Sequence, residues 1–237
     1  MKILVLQHVR EEHPGIFRKF LKEDGHEWTA FNLQEETTLP NIQNFDALWV
    51  MGGPMDVWDT DTCPWLVAEK EAIRTWVQDL KKPYLGLCLG HQLLADALDG
   101  KCEVQDTPEI GILDVHLTDA AHNDPLMQGL TPQMKCLQWH SVAVTQPPTG
   151  AELLASSPDC TWQAMRVGKH AWGIQFHVEL QDQTISEWNE VPAYAAALDK
   201  VKGPGALKVM EDEALQYMPQ FKDNARLLFD NFCQSMG

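Results

Sequence analysis

The stretch Pro83-Tyr84-Leu85-Gly86-Leu87-Cys88-Leu89-Gly90-His91-Gln92-Leu93-Leu94 decides the fold. Its apolar run from Tyr84 to Leu87 reads as a short buried strand, and His91 to Leu98 reads as the start of a helix. Between them, Gly86-x-Cys88-x-Gly90 sets a thiol between two glycines where strand turns into helix, the cysteine form of a nucleophile elbow. Glycine suits both flanks because the turn is tight and neighbouring chain comes close. The head of the helix puts the sulfur near the positive end of the dipole, where an anion is favoured. A buried cysteine in an ordinary strand-to-helix turn has the same local pattern. The rest of the chain must choose between the two.

Working outward, Ile3–Leu6 is a continuous apolar run of the kind that parallel strands show when both faces are covered, and Asp46–Met51 offers a further strand. Glu27–Phe31 offers another strand. Ile16, Phe17, Phe20 and Leu21 have helical spacing after Pro14-Gly15. From Trp65 to Leu80 the apolar positions mark one face of a long helix, with Pro64 just before it, where proline fits. Lys81-Lys82-Pro83 stops that helix and starts the elbow strand. Strand and helix alternating in this rhythm predict a parallel sheet with helices on both faces.

The middle of the chain changes character. Lys101–Gln105, Ile110–Leu117, Lys135–Trp139, Ala151–Ser156, Thr161–Val167 and His170–Phe176 read as short strands separated by turns such as Pro147-Pro148-Thr149-Gly150. They are expected to add antiparallel strands to the main sheet. Past Glu179 the pattern turns helical: Gln181–Val201, a break at Gly203-Pro204-Gly205, then Ala206–Met218 and Pro219–Gln234. The expected division is residues 1–180 as the site-bearing domain and 181–237 as a helical extension packed on it.

The chain has 237 residues, 44% of them hydrophobic, enough for one large α/β domain. Its 18 basic and 34 acidic residues give a net charge of −16, which argues against non-specific binding to nucleic acid or to anionic membranes. Six cysteines without a C-x-x-C pair fit neither a disulfide framework nor a zinc site. The amino terminus lacks the apolar core of a signal peptide, and no stretch is long enough to span a bilayer. These features predict a protein of the reducing cytoplasm, with no bound metal, phosphate loop or dinucleotide fingerprint.

In open parallel sheets, sites form beyond the carboxyl ends of the strands. Three strands end in chemically unusual residues: one in Gly52-Gly53-Pro54, the elbow strand in Cys88, and Ile174-Gln175-Phe176 in His177-Val178-Glu179. If these strands are parallel neighbours, the three ends share one rim. In extended chain, positions i and i+2 face the same way, so His177 and Glu179 can act together. A cysteine nucleophile needs a base, and the base needs an orienting acceptor. The amides of Gly53 and Leu89 would converge on developing negative charge as an oxyanion hole. Among the other histidines, His91 is expected to cap its helix or face solvent, and His8, His13, His26, His116, His122 and His170 lack a ligand-like arrangement with nearby carboxylates.

Together, Gly52-Gly53-Pro54, Gly86-Leu87-Cys88-Leu89-Gly90-His91-Gln92 and Gly173-Ile174-Gln175-Phe176-His177-Val178-Glu179 resemble the class I glutamine amidotransferases, from about Lys2 to Glu179. Glu109-Ile110-Gly111, Trp139-His140-Ser141 and Trp172-Gly173 fit the stand-alone, GMP-synthase-like members. The resemblance implies a flavodoxin-like open, mostly parallel sheet with antiparallel additions. It implies Cys88 as nucleophile, His177 as base and acid, Glu179 as the residue orienting His177, and Gly53 and Leu89 as oxyanion donors. Gly52, Gln92, His140 and Ser141 would hold the substrate, glutamine or another γ-glutamyl amide. No cofactor is implied. Val178 departs from the family, which most often has proline between the His and the Glu. No synthetase segment accompanies the motifs, so the ammonia is expected to pass to a separate synthetase subunit or, in a glutaminase-like enzyme, not to be used. Cleavage of a γ-glutamyl amine or peptide, and an inactive regulatory module on the same fold, stay open as alternatives.

Overall fold

A computed structural model describes residues 1–36 and 38–236. Its strands are β1 (Lys2–Gln7), β2 (Glu27–Asn32), β3 (Ala47–Val50), β4 (Tyr84–Leu87), β5 (Lys101–Leu117), β6 (Gln133–Gln146), β7 (Ala151–Ser156), β8 (Ala164–Val167) and β9 (Ala171–Ile174). They form one sheet in the order β2-β1-β3-β4-β9-β8-β7-β5-β6. From β2 to β9 every neighbour is parallel. From β9 to β6 every neighbour is antiparallel. The middle segments therefore extend the same sheet, as their spacing predicts.

The helices are α1 (Phe17–Glu23), α2 (Trp65–Arg74), α3 (Leu89–Ala97), α4 (Thr184–Trp188), α5 (Pro192–Lys202) and α6 (Ala206–Gln234). Strand alternation sorts them into two layers. Ile3, Val5, Ala47, Trp49, Leu85 and Leu87 pack with Phe17, Phe20 and Leu21 of α1 and with Ala225, Leu228, Phe229 and Phe232 of α6. Leu4, Leu6, Leu48, Val50 and Tyr84 face the other way, onto α2 and α3. A third cluster joins Ile110, Ile112, Leu137 and Trp139 of the antiparallel half to α4, α5 and the first half of α6. That third cluster sits beside the elbow and supplies one wall of the cleft.

Several segments differ from their sequence reading. The two strands expected at 101–105 and 110–117 are one strand, with an irregular register between Val104 and Glu109 where the turn residues fall. The helix expected over Gln181–Val201 is two, because Val191 is extended ahead of Pro192, which starts α5. The two helices expected around Pro219 are a single helix, α6. A proline there removes one helical hydrogen bond, to residue 215, and typically costs about 3 kcal/mol. Leu215 is exposed, so the freed carbonyl lies on the water side, while buried Met218 and Phe221 hold the helix on both sides of the proline. The long helix from Trp65 changes to a π-helical turn at Thr75–Leu80, then ends at Lys81 in a left-handed conformation, φ 52°.

Candidate active site

The three unusual strand ends do share a rim, because β3, β4 and β9 are consecutive parallel strands. Cys88 follows β4 with φ 51° and ψ −105°, a conformation that side-chain-bearing residues rarely adopt. Its amide donates to the Ile174 carbonyl at 2.8 Å, which ties the elbow to the end of β9. The turn is tight enough to need glycine next to it. A Cβ on Gly90 would lie 2.0 Å from the Val50 carbonyl oxygen. Below the turn, the buried Tyr84 hydroxyl donates to the Gly90 carbonyl at 2.7 Å.

Beyond β9 the chain bends at Gln175 and Phe176 and then pairs briefly with β6 at His177. His177 donates its amide to the Leu137 carbonyl at 2.9 Å, and its Nδ1 lies 2.8 Å from Glu179 Oε1. The other Glu179 oxygen accepts from the Val178 amide at 2.9 Å. Both side chains are nearly inaccessible. Burial alone would lower the imidazole, but the Glu179 carboxylate and a hydrogen bond to Cys88 raise it well above its ordinary value. The Trp188 ring stands edge-on to it, 4.4 Å between centroids. Valine at 178 leaves both side-chain directions intact.

Cys88, Leu89, Gly53, Gln92, His140 and Ser141 line one cleft of about 100 Å³, with Trp139 and Ile110 on one wall and Ala193, Tyr194 and Ala197 of α5 on another. His177 and Glu179 sit behind the cysteine and do not line it. Gly52 also stands back: its carbonyl accepts from His8 Nδ1 at 2.8 Å. The Gly53 amide donates to no other backbone group among the described residues, and Gly53 lies against Leu89. Gln92 Nε2 donates to the Val142 carbonyl and to Gln175 Oε1, both at 3.0 Å. His140 Nδ1 donates to the Val142 carbonyl at 3.0 Å, while its Nε2 is 3.2 Å from Glu109.

His91 departs from its sequence reading, and His8 and His13 each meet a carboxylate far away in the sequence. His91 is fully buried under Gly173, not capping or in solvent, and burial pushes it down to about 3. His8 does have a carboxylate partner: its Nε2 lies 3.1 Å from Glu69, both side chains wholly buried. Burial is the largest single influence and lowers that imidazole, but the charge and hydrogen bond of Glu69, the Gly52 carbonyl and Glu12 together make the net shift upward.

Four further residues stand close to the cysteine and the imidazole. Gln175 Nε2 is 3.6 Å from Cys88 Sγ. Glu12, in the loop after β1, is buried beside His177, and Tyr194 donates to it at 2.6 Å. Applying the strand-end rule to β1 finds Glu12 as a rim residue. Nothing local finds Gln175, Tyr194 or Trp188. Glu109, His140 and Cys160 bring ligand atoms within 4.8 Å, a metal-sized group. Ser157 and Gln163 already donate to the two Glu109 oxygens at 2.6 and 2.8 Å, so the set fits a hydrogen-bonded support for His140 better than a cation.

A thiol on a strained turn, an imidazole aimed at it, a carboxylate on the imidazole and glycine-lined amides make an arrangement suited to acyl transfer through sulfur. The family model for glutamine amidotransferase class-I matches residues 17–187. Among curated relatives, one subunit of the glutamine-hydrolyzing GMP synthase of Sulfolobus acidocaldarius is 31% identical over 182 residues, 76% of this chain and 90% of the relative. The corresponding protein of Sulfurisphaera tokodaii is 34% identical over 154 residues, 64% of this chain and 77% of the relative. The crystal structure of a glutamine amidotransferase from Thermotoga maritima superposes with a TM-score of 0.86 at 23% identity, covering 100% of this chain and 98% of that one. With the family model spanning most of the chain and the fold matching along its whole length, this protein belongs to the class-I glutamine amidotransferase family.

Proposed function

We propose that this protein hydrolyses the γ-amide of glutamine through a γ-glutamyl thioester on Cys88. The observation that carries the reading is the Cys88–His177–Glu179 arrangement, in which Glu179 holds Nδ1 of His177 at 2.8 Å and Cys88 lies near enough to the same imidazole to raise its pKa. The Cys88 thiolate attacks the γ-carbonyl carbon, and the oxyanion is held by the Gly53 and Leu89 amides. One such donor is worth about 3 kcal/mol of barrier. The His177 imidazolium gives its proton to the departing nitrogen, so ammonia leaves and the thioester remains. Water, deprotonated by the now neutral His177, attacks the thioester; glutamate leaves, and thiolate and imidazolium are restored.

Gln92, His140 and Ser141 line the cleft where the rest of the substrate would lie. Several relatives are named as one subunit of a glutamine-hydrolyzing GMP synthase. That supports delivery of the ammonia to a separate synthetase subunit. Six free thiols support work in a reducing cytoplasm, and among the described residues no helix is long and apolar enough to cross a membrane.

The test is glutamate release from glutamine and from a panel of γ-glutamyl amides by wild type and Cys88→Ala. Turnover of glutamine by wild type alone is expected. Equal rates from both proteins would sink the nucleophile assignment. Turnover confined to larger γ-glutamyl amines would replace glutamine with a peptidase substrate, and silence on every substrate would favour the regulatory module.

A further inference from the structure

The loop between β1 and α1 is gripped from above by the helical region. Trp188 Nε1 donates to the Glu11 carbonyl at 3.1 Å, and the Tyr194 hydroxyl donates to Glu12 Oε1 at 2.6 Å. Glu12 is 1% exposed, and its second oxygen has no hydrogen-bond partner in this buried setting. One oxygen of Glu12, one ring nitrogen of His177 and one oxygen of Glu179 lie within 4.8 Å of one another. The fit is close: a Cβ on Gly52 would lie 2.6 Å from Glu12 Oε2. Tyr194 also lines the cleft that holds Cys88. Neither Glu12 nor Tyr194 falls within the residues matched by the family model.

We propose that Glu12, clamped by Tyr194 of α5, is a positioning residue for the Cys88–His177 pair, so that the reactivity of Cys88 depends on α5 being docked. The inference rests on reading Cys88 and His177 as the reacting pair. Three groups that can carry charge face the imidazole: Glu179 from its own segment, Cys88 from the elbow and Glu12 from the β1–α1 loop. In a site this dry, a second carboxylate adds to the hold on the imidazolium form. Glu12 itself is faced by His177, Tyr194, Glu179 and His8. Burial raises its carboxyl, while His177 and the Tyr194 hydrogen bond pull it back toward the charged form. Tyr194 therefore acts on His177 through Glu12. With the Tyr194 hydroxyl removed and the site still buried, Glu12 holds a proton more readily and gives less to the imidazolium.

The experiment follows the His177 imidazole by NMR in ¹⁵N-histidine-labelled full-length protein, for wild type, Glu12→Gln, Tyr194→Phe and the double variant. Alkylation of Cys88 by iodoacetamide at pH 7 is measured in parallel by peptide mass spectrometry, which separates it from the other thiols. In Glu12→Gln the His177 titration is expected to move down by about one pH unit, and Cys88 alkylation to slow by about tenfold. Tyr194→Phe should move both in the same direction by less. The double variant should match Glu12→Gln, because the hydroxyl works through the carboxylate. A His177 titration that stays at its wild-type position in both single variants overturns the proposal, whatever the protein does with glutamine. If the shifts appear in a protein that leaves glutamine intact, the positioning role stands and the proposed substrate falls.

Discussion

Gln92 donates its side-chain amide to Oε1 of Gln175 at 3.0 Å, and this bond decides which end of Gln175 meets the cysteine. With its oxygen committed, Gln175 presents Nε2 to Cys88 Sγ at 3.6 Å. The buried N–H donates to the sulfur, and Gln92 is itself anchored on the Val142 carbonyl. The residue assigned from resemblance to substrate binding thus also aims a neighbour at the proposed nucleophile.

Gln175→Glu keeps the shape and the acceptor for Gln92 but turns the donor into an acceptor. Its alkylation by iodoacetamide at Cys88, at pH 7, is expected to slow by about tenfold or more, since like charges would face each other in a buried space. Unfolding in urea should show a loss of about 1–3 kcal/mol for the unsatisfied buried group. Unchanged alkylation would remove Gln175 from any role at the sulfur.

The conformation of Cys88 makes a second prediction. At φ 51°, ψ −105°, a residue with a Cβ is strained, and glycine is not. Cys88→Gly is therefore expected to unfold at higher denaturant than Cys88→Ala, by about 1 kcal/mol after glycine's greater freedom in the unfolded chain is offset. Both variants should release no glutamate from glutamine. A stability order in which alanine exceeds glycine would mean that the turn is relaxed.

His91 sets a pH dependence. Burial holds it neutral down to about pH 3, whereas the unfolded chain protonates it near 6.5. A histidine lowered in the folded state contributes stability that is fully present above the unfolded value and is lost as pH falls toward the folded one. Between pH 6.5 and 4.5 the unfolding free energy attributable to it should fall by about 2–3 kcal/mol. Denaturation of wild type and His91→Leu across that window checks this, with the variant expected to show the shallower slope. Parallel slopes would show that His91 is reached by protons without unfolding.

Much of this site is legible locally, and the reason is its location at strand ends. Cys88, Gly53 and His177 each follow an apolar run, and each run is its own evidence for a strand. Alternation in extended chain is enough to put His177 and Glu179 on one side, 2.8 Å apart. Contacts that join distant segments have no such signature. His8 meets Glu69 across 61 residues, and Tyr194 meets Glu12 across 182. Each of those residues looks unremarkable among its own neighbours, so nothing near His8 in the sequence points to Glu69.

What the sequence by itself determined is the alternation of strands and helices and the glycine-flanked thiol, because these depend on short-range periodicity and backbone geometry, while three motifs together carried the family resemblance. Only the tertiary structure decided that β9 lies beside β4, which delivers His177 to Cys88. It also decided that α6 runs unbroken through Pro219 and that α5 walls the cleft with Tyr194 on Glu12. The physical reason is burial. Local propensity sets what a segment can become, but the water removed between segments far apart in the chain selects which of them meet, and with them which carboxylates face the imidazole.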